Sequence, residues 1–390
     1  MKKVLIASTA LVAAGLMTTG SASAAEKIKL NLGGFSKWWV VGAWQDSAFE
    51  AGTGRGYANV DVKGDNEIFF GGDTTLDNGM KIGVNIELEA GGGSETAQSN
   101  PDVIDKSYVF IESGIGKVIV GSEANGAVLL HVMAPDAAGN WGSEGLLISG
   151  SSIVQPGAVS VMKTTEIDTD DNADKITYVA PTFYGLTLGA TYIPNASGTT
   201  SPSKGEDNSN QALSQSVYGV GAGYANTFGP IGVKLSTGFV WGDANAAGIA
   251  GDLQEFSAGT QLAWGPVTVG GSYRQRILDE KPGAYTTTRP ANAANIDGHI
   301  WDAGIMYDGG AWQLSFGYLN SKAEDSTATG QDSLTVYQVS GKYSLSPGID
   351  LQASGGFVEW NDESAKASGN TGDANHNEGW VIATGIALTF

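Results

Sequence analysis

Apolar and polar positions alternate with period two along most of this chain. The final stretch shows it: Trp380, Ile382, Thr384, Ile386, Leu388 and Phe390 share one parity, and Val381, Ala383, Gly385, Ala387 and Thr389 the other. One face of such a strand is large and mostly apolar, the other small or weakly polar. An ordinary sandwich strand and a lipid-facing strand of a transmembrane barrel both fit that description. A second stretch favours the barrel. Met80, Ile82, Val84, Ile86 and Leu88 lie on one face, and Lys81, Gly83, Asn85, Glu87 and Glu89 on the other. Aliphatic side chains outward and charges inward are the pattern of a wet barrel.

The same rhythm recurs throughout. Asp77-Asn78-Gly79 joins two strands and predicts a type I′ hairpin turn. Further short turns centre on Gly114, Phe183, Gly229, Gly265, Gly309 and Pro347, and long polar segments separate the hairpins. The alternation predicts about 16 strands with short turns at one end and long loops at the other, an all-β transmembrane antiparallel β-barrel. Closure removes the aggregation-prone edges of so large a sheet. The pair around Gly114 is apolar on both faces. A subunit contact, a covering loop or a plain buried pair would each explain it. Residues 124–174 form the longest stretch without periodicity. A loop of this length is uncommon and usually functional. Its apolar patches, Val128-Leu129-Leu130 and Leu146-Leu147-Ile148, need a surface, and the barrel lumen supplies one.

The beginning of the chain has a different character. Lys2 and Lys3 precede a short apolar stretch, Val4 to Met17, and Ala22-Ser23-Ala24 has the form of a cleavage site. Residues 1–24 are therefore expected to be a secretory signal peptide and 25–390 a single barrel domain. No later stretch approaches the roughly 18 apolar residues of a helical span. Cysteine is absent, which excludes disulfides and thiolate chemistry.

Charge narrows the range of functions. The chain has 21 basic and 41 acidic residues, net −20. Without Lys2 and Lys3 the mature chain has 19 against 41, net −22. Such a surface argues against nucleic acid as a partner. His131, His299 and His376 lie on separate segments, and neither a zinc-protease nor a serine-hydrolase motif is present, so no enzyme is expected. Asp168, Asp170 and Asn172 have the opening spacing of a calcium loop, but Ala173 stands where glycine would be needed and the twelfth-position acid is missing. A solvated acidic loop is the expectation there, with Ca2+ as the one cofactor to test.

The Glu67-Ile-Phe-Phe-Gly-Gly-Asp-Thr-Thr-Leu-Asp-Asn-Gly79 stretch, the Ile176-x-Tyr-x-x-Pro-x-Phe-x-Gly185 turn, the long third loop and the terminal Phe390 strand occur in an order that resembles the general porins of Gram-negative outer membranes, especially the trimeric type. The resemblance spans nearly the whole mature chain. It implies a homotrimer in the outer membrane, in contact with lipid and lipopolysaccharide, that passes ions and small hydrophilic solutes. It also implies a third loop, here 124–174, that folds into the lumen and narrows it. The candidate constriction acids carried over are Asp136 and Glu144, with Glu123 at the loop base. The candidate basic residues opposite are Lys234, Arg274 and Arg276, whose parity points them inward. Facing charges of this kind give a transverse field. Phe390 is implied to be the signal read by the barrel-assembly machinery. Three departures stand out. Ser122 follows Gly121 where the family often has arginine, the third loop lacks a Pro-Glu-Phe-Gly-Gly element, and the arginines are only Arg55, Arg274, Arg276 and Arg289. With so acidic a chain, a modest cation preference is expected. The alternative is a substrate-specific channel, for example for sugars, with Trp39 and Trp360 as lumen aromatics.

Overall fold

The computed structural model describes residues 27–91, 104–139, 145–168, 173–194, 216–244, 251–280, 297–324, 330–367 and 372–390. The expected signal peptide lies outside them, as do Glu144, Asp170 and Asn172. The described residues form 16 strands: β1 (Asn31–Gln45), β2 (Val60–Thr75), β3 (Lys81–Glu89), β4 (Lys106–Ser113), β5 (Gly116–Ser122), β6 (Asp174–Val179), β7 (Leu186–Ile193) and β8 (Val217–Phe228) make the first half. The second half is β9 (Ile231–Ala244), β10 (Gly251–Trp264), β11 (Val267–Glu280), β12 (Asp297–Asp308), β13 (Trp312–Glu324), β14 (Asp332–Ser346), β15 (Ile349–Asn361) and β16 (His376–Thr389). Two short helices, α1 (Ser47–Thr53) and α2 (Gly126–Leu129), sit in connections. No helix among the described residues is long and apolar enough to cross a membrane.

Each strand pairs antiparallel with its sequence neighbour, and β1 also pairs with β16, which closes the barrel. Phe35 lies opposite Thr389 and Gln45 opposite Gly379. Beyond the last register pair, Gly34 and Phe390 exchange two backbone hydrogen bonds of 3.0 and 3.1 Å. The chain terminus is therefore a working part of the closing seam.

The two parities of each strand separate outside from inside. Trp38, Val40 and Trp44 of β1 and Trp380, Ile382 and Ile386 of β16 are exposed on the outer face. Outer aromatics pack between neighbouring strands: Tyr192 tilted against Tyr218 and Tyr218 stacked on Trp241 towards the long-loop end, Tyr307 stacked on Trp312 towards the short-turn end. Aromatic bands of this kind suit the two interfaces of a bilayer, where one end of the ring is apolar and the other wet. The outer face of β3 to β5 differs: Ile82, Val84, Ile86, Leu88, Val109, Ile111, Val118 and Val120 include no aromatic. The wall is also lowest nearby. Strands β3 to β7 have six to nine residues, against 12 to 16 in the others.

The hairpin over Asp77-Asn78-Gly79 is not type I′, which would need positive φ at two residues. Gly79 has φ +81°, whereas Tyr184 is the sole non-glycine with positive φ among the described residues. Gly79 N–H donates to Leu76 O (2.8 Å), and the Asn78 side chain accepts from Met80 N–H (3.0 Å). A turn closed by one left-handed glycine gives the same reversal with one special residue instead of two.

Candidate functional site

The inner wall has two unlike halves. On β1 to β5 it is charged and laced with ion pairs. Lys37 meets Asp65 at 2.6 Å, Lys63 meets Asp61 at 3.3 Å, Lys81 meets Asp73 at 3.2 Å and Lys106 meets Glu87 at 3.0 Å. Lys117 lies 4.3 Å above the Phe110 ring. On β12 to β16 the half nearer the long loops is apolar: Ile300, Leu319, Leu334, Val336, Val358, Trp360 and Val381 are all buried. Inward apolar side chains need a cover.

Residues of the third loop provide it. Leu146, Leu147, Ile148, Ile153, Val159, Val161 and Met162 pack on those wall residues in one cluster that also takes in Trp39 and Val41. Each fully buried aliphatic side chain contributes about 1.5–3 kcal/mol. Polar wall atoms then fix the path. Asn125 caps α2 by accepting from Ala127 N–H (2.8 Å) and Val128 N–H (3.1 Å). Gly126 N–H donates to Thr191 Oγ1 (2.8 Å) on β7. Val132 N–H reaches Ser236 Oγ on β9 (2.9 Å), Ala134 N–H reaches Asp302 Oδ1 on β12 (3.0 Å), and Ala137 N–H reaches Ser315 Oγ on β13 (2.9 Å). Further on, Ser160 N–H bonds Asp332 on β14 (2.6 Å), Trp360 Nε1–H on β15 bonds Ile153 O (3.1 Å), and Asn377 on β16 bonds Val154 O (2.7 Å). Gln45 on β1 exchanges hydrogen bonds with Ser152 O and Val154 N–H.

Glycine lets the loop backbone lie this close. A Cβ on Gly259 would overlap Val132 O, and one on Gly221 would overlap Gly126 O. The two positions face inward on β10 and β8, where any side chain would displace the loop.

The returning limb is held by Arg274. Its Nε donates to Glu255 Oε2 (2.7 Å), and its Nη1 donates to Thr164 O (3.3 Å), to Glu166 O and to Asp168 Oδ1 (2.7 Å). Arg276 Nε lies 3.3 Å from the other Glu255 oxygen. Asp302 ties the two limbs together, since its second oxygen accepts from Thr165 Oγ1 (3.1 Å) and Ser272 Oγ (2.6 Å). Titratable loop groups sit in this packing. Burial pushes the Glu166 carboxyl up to about 7, with the nearby Asp168 charge adding to it. Burial, with the charge of Arg274, lowers His131 to about 4. Burial also lowers Lys163, whose ammonium donates to Ser149 O (2.9 Å).

The residues singled out from sequence fall into distinct settings. Arg274 and Arg276 do point inward, side by side, but both are buried against Glu255. Lys234 points inward on β9, opposite Gln261, and is half-buried. Asp136 accepts from Ser315 Oγ and Gln338 Nε2, each at 3.0 Å, and so fastens the loop to β13 and β14. Glu123 is buried at the loop base, where Lys175 donates to its carbonyl oxygen. Asp168 pairs with Arg274. Trp39 and Trp360 lie within the dry cluster. Glu255, Asp302 and Asp332 were not anticipated. For Asp302 and Asp332 the signal is inward parity between same-face neighbours that are apolar or glycine: Ile300 and Gly304, Gly330 and Leu334.

Comparisons with known proteins agree with this geometry. The family model described as Gram-negative porin matches residues 7–363. No curated protein sequence matches. Among solved structures, an anion-selective porin from Comamonas acidovorans is similar with TM-score 0.61 at 18% identity, covering 93% of this chain and 100% of its own. The outer membrane channel DcaP of Acinetobacter baumannii gives 0.60 at 12% identity, covering 96% and 100%. OmpT of Vibrio cholerae, in its trimer form, gives 0.58 at 12% identity, covering 94% and 100%. A closed 16-strand barrel with an apolar exterior and a charged inner wall, matched by this family over nearly its whole length, belongs to the Gram-negative porins and is a channel of the outer membrane, not an enzyme.

Proposed function

We propose that the channel passes ions and small hydrophilic solutes by diffusion along the charged wall of β1 to β5, with a modest preference for cations. One observation carries this reading: Arg274 and Arg276 are occupied by Glu255 and Asp168 under the loop, so they add little positive potential to the water path. Lys234 is the one member of the basic trio without an ion pair among the described residues. In a chain of net charge −20, the remaining field favours cations. The third loop, with Asp136, Glu123 and Glu144, is taken to narrow the passage. A reversal potential measured across a planar bilayer in a salt gradient tests the reading: a cation-directed sign is expected, and an anion-directed sign overturns it. A sugar-specific channel is the second reading, and burial of Trp39 and Trp360 removes the aromatic surface it would use. Liposome swelling with graded solutes should show a size cutoff without saturation by any one solute.

The low wall and the aromatic-free outer face of β3 to β5 support a homotrimer joined there. Nearby, on the outer face, Ser36 donates to Asn66 and Asn66 donates to Gly91 O (2.9 Å), a polar group better placed against protein than lipid. Elsewhere the aromatic bands suit lipid and lipopolysaccharide. Cross-linking in detergent should stop at three copies.

A further inference from the structure

The charged wall holds a buried group that its ion pairs leave out. Glu67 on β2 faces inward and is 9% exposed, yet among the described residues its carboxylate accepts no hydrogen bond and has no cation within ion-pair distance. Across β1 it faces Phe35, and across β3 it faces Glu89. One of its oxygens lies with an oxygen of Glu87 and an oxygen of Asp105 in a group whose members are all within 4.8 Å of one another. Lys106 is the cation among them, at 3.0 Å from Glu87 and 3.8 Å from Asp105. Asn85 donates to the other Glu87 oxygen at 2.7 Å. The neighbouring Asp65 is matched by Lys37. Three carboxyl groups thus gather around one ammonium in a partly buried stretch of the wall.

We propose that Glu67, Glu87 and Asp105 bind a divalent cation of the calcium type in the wall of the barrel. Calcium takes oxygen ligands at about 2.3–2.6 Å, so two oxygens on one ion can stand as far as roughly 5 Å apart. The three oxygens lie close enough together to share one such ion. The ion would join β2, β3 and the entry to β4, where the tall β2 meets the low part of the wall. A second group of carboxylates, Asp332, Asp362 and Glu363, is different: both Asp332 oxygens accept backbone N–H groups, from Ser160 and Glu363. That group is explained by the fold alone. The proposed site does not depend on the ion preference of the channel.

Equilibrium dialysis of the full barrel in detergent with radioactive Ca2+ at pH 7 tests this. The wild-type protein should bind at least one Ca2+ per chain. Glu67→Gln should bind one fewer, and Asp105→Asn should bind that ion at least tenfold more weakly. Glu363→Gln should keep the full count. Heat-modifiable migration on gels reports whether each variant is folded. Glu67→Lys supplies the missing charge itself and should fold without binding. No Ca2+ bound by the wild type, a full count in Glu67→Gln or in Glu67→Lys, or a loss in Glu363→Gln instead would each overturn the assignment.

Discussion

Arg274 on β11 and Glu255 on β10 form an ion pair of 2.6 Å, with side chains 1% and 0% exposed. Removing one partner strands a buried charge, which costs about 3–5 kcal/mol. Glu255→Gln is expected to lower barrel stability by that order. Arg274→Ala should release Thr164, Glu166 and Asp168 as well. The double variant should be destabilised by less than the sum of the singles, because neither charge is then left alone. Urea unfolding of the reconstituted barrel, followed by tryptophan fluorescence, measures all three.

Gly259 and Val132 touch backbone to backbone, so Gly259→Val cannot keep the loop where it is. Overpacking of this kind costs about 1–3 kcal/mol. The loop should lift from β9 and β10 while the strand ladder survives, since Gly259 pairs through its backbone. Single-channel conductance should rise. Gly341→Val, at an outward position with no loop atom within 4 Å of an added Cβ, should leave it unchanged.

Much of this structure was visible in strand parity. It placed Lys234, Arg274 and Arg276 on the inner face and Trp380, Ile382 and Ile386 on the outer. It missed what Arg274 does, because the apolar run suggests a strand starting at Phe256. The strand starts at Gly251, which makes Glu255 an inward neighbour of both arginines. The path of the loop was hidden for a different reason. Its contacts join residues more than a hundred positions apart, through single oxygens of Ser236, Asp302 and Ser315. Such residues look the same in sequence whether they meet water or a backbone N–H. One signal was available. Leu334, Val336, Val358 and Trp360 are apolar on the inward parity, which a water-filled lumen does not explain.

Lys234 should control ion preference more than Arg276 does. A single charge acting on an ion roughly 7 Å away through water is worth about 0.6 kcal/mol, near a threefold change in permeability ratio. Lys234→Gln is expected to shift the reversal potential towards cations by that order. Arg276→Gln should shift it less, because Glu255 already offsets the charge.

Phe390 is 64% exposed, so its ring adds little to packing, and its backbone supplies the two bonds to Gly34. Each is worth about 0.5–1.5 kcal/mol. Deleting Phe390 should therefore lower the stability of the folded barrel only slightly in vitro. If Phe390 is read by the assembly machinery, the amount of barrel reaching the outer membrane should fall much more. Comparing refolding in detergent with membrane yield in cells separates the two effects.

The loop contains two groups whose responses to pH oppose each other. His131 Nε2 lies 3.1 Å from Thr165 Oγ1, next to Glu166 in the chain. His131 is lowered to about 4 by burial and by Arg274, so its contribution to loop packing is complete above its ordinary value near 6.5 and is lost as pH falls through 4. Glu166 is raised to about 7 by burial and by Asp168, so its contribution is complete below its ordinary value of 4.5 and is lost as pH rises through 7. Between pH 4.5 and 6.5 the two changes offset each other, and the wild-type loop should show nearly constant protection of its amides against hydrogen exchange. Glu166→Gln leaves His131 unopposed, so protection should fall on acidification below pH 6.5. His131→Asn leaves Glu166 unopposed, so protection should fall as pH rises from 4.5 to 7. The amides of Thr165 and Ile167 report on this directly, and identical profiles in wild type and both variants would show that neither group titrates with the loop in place.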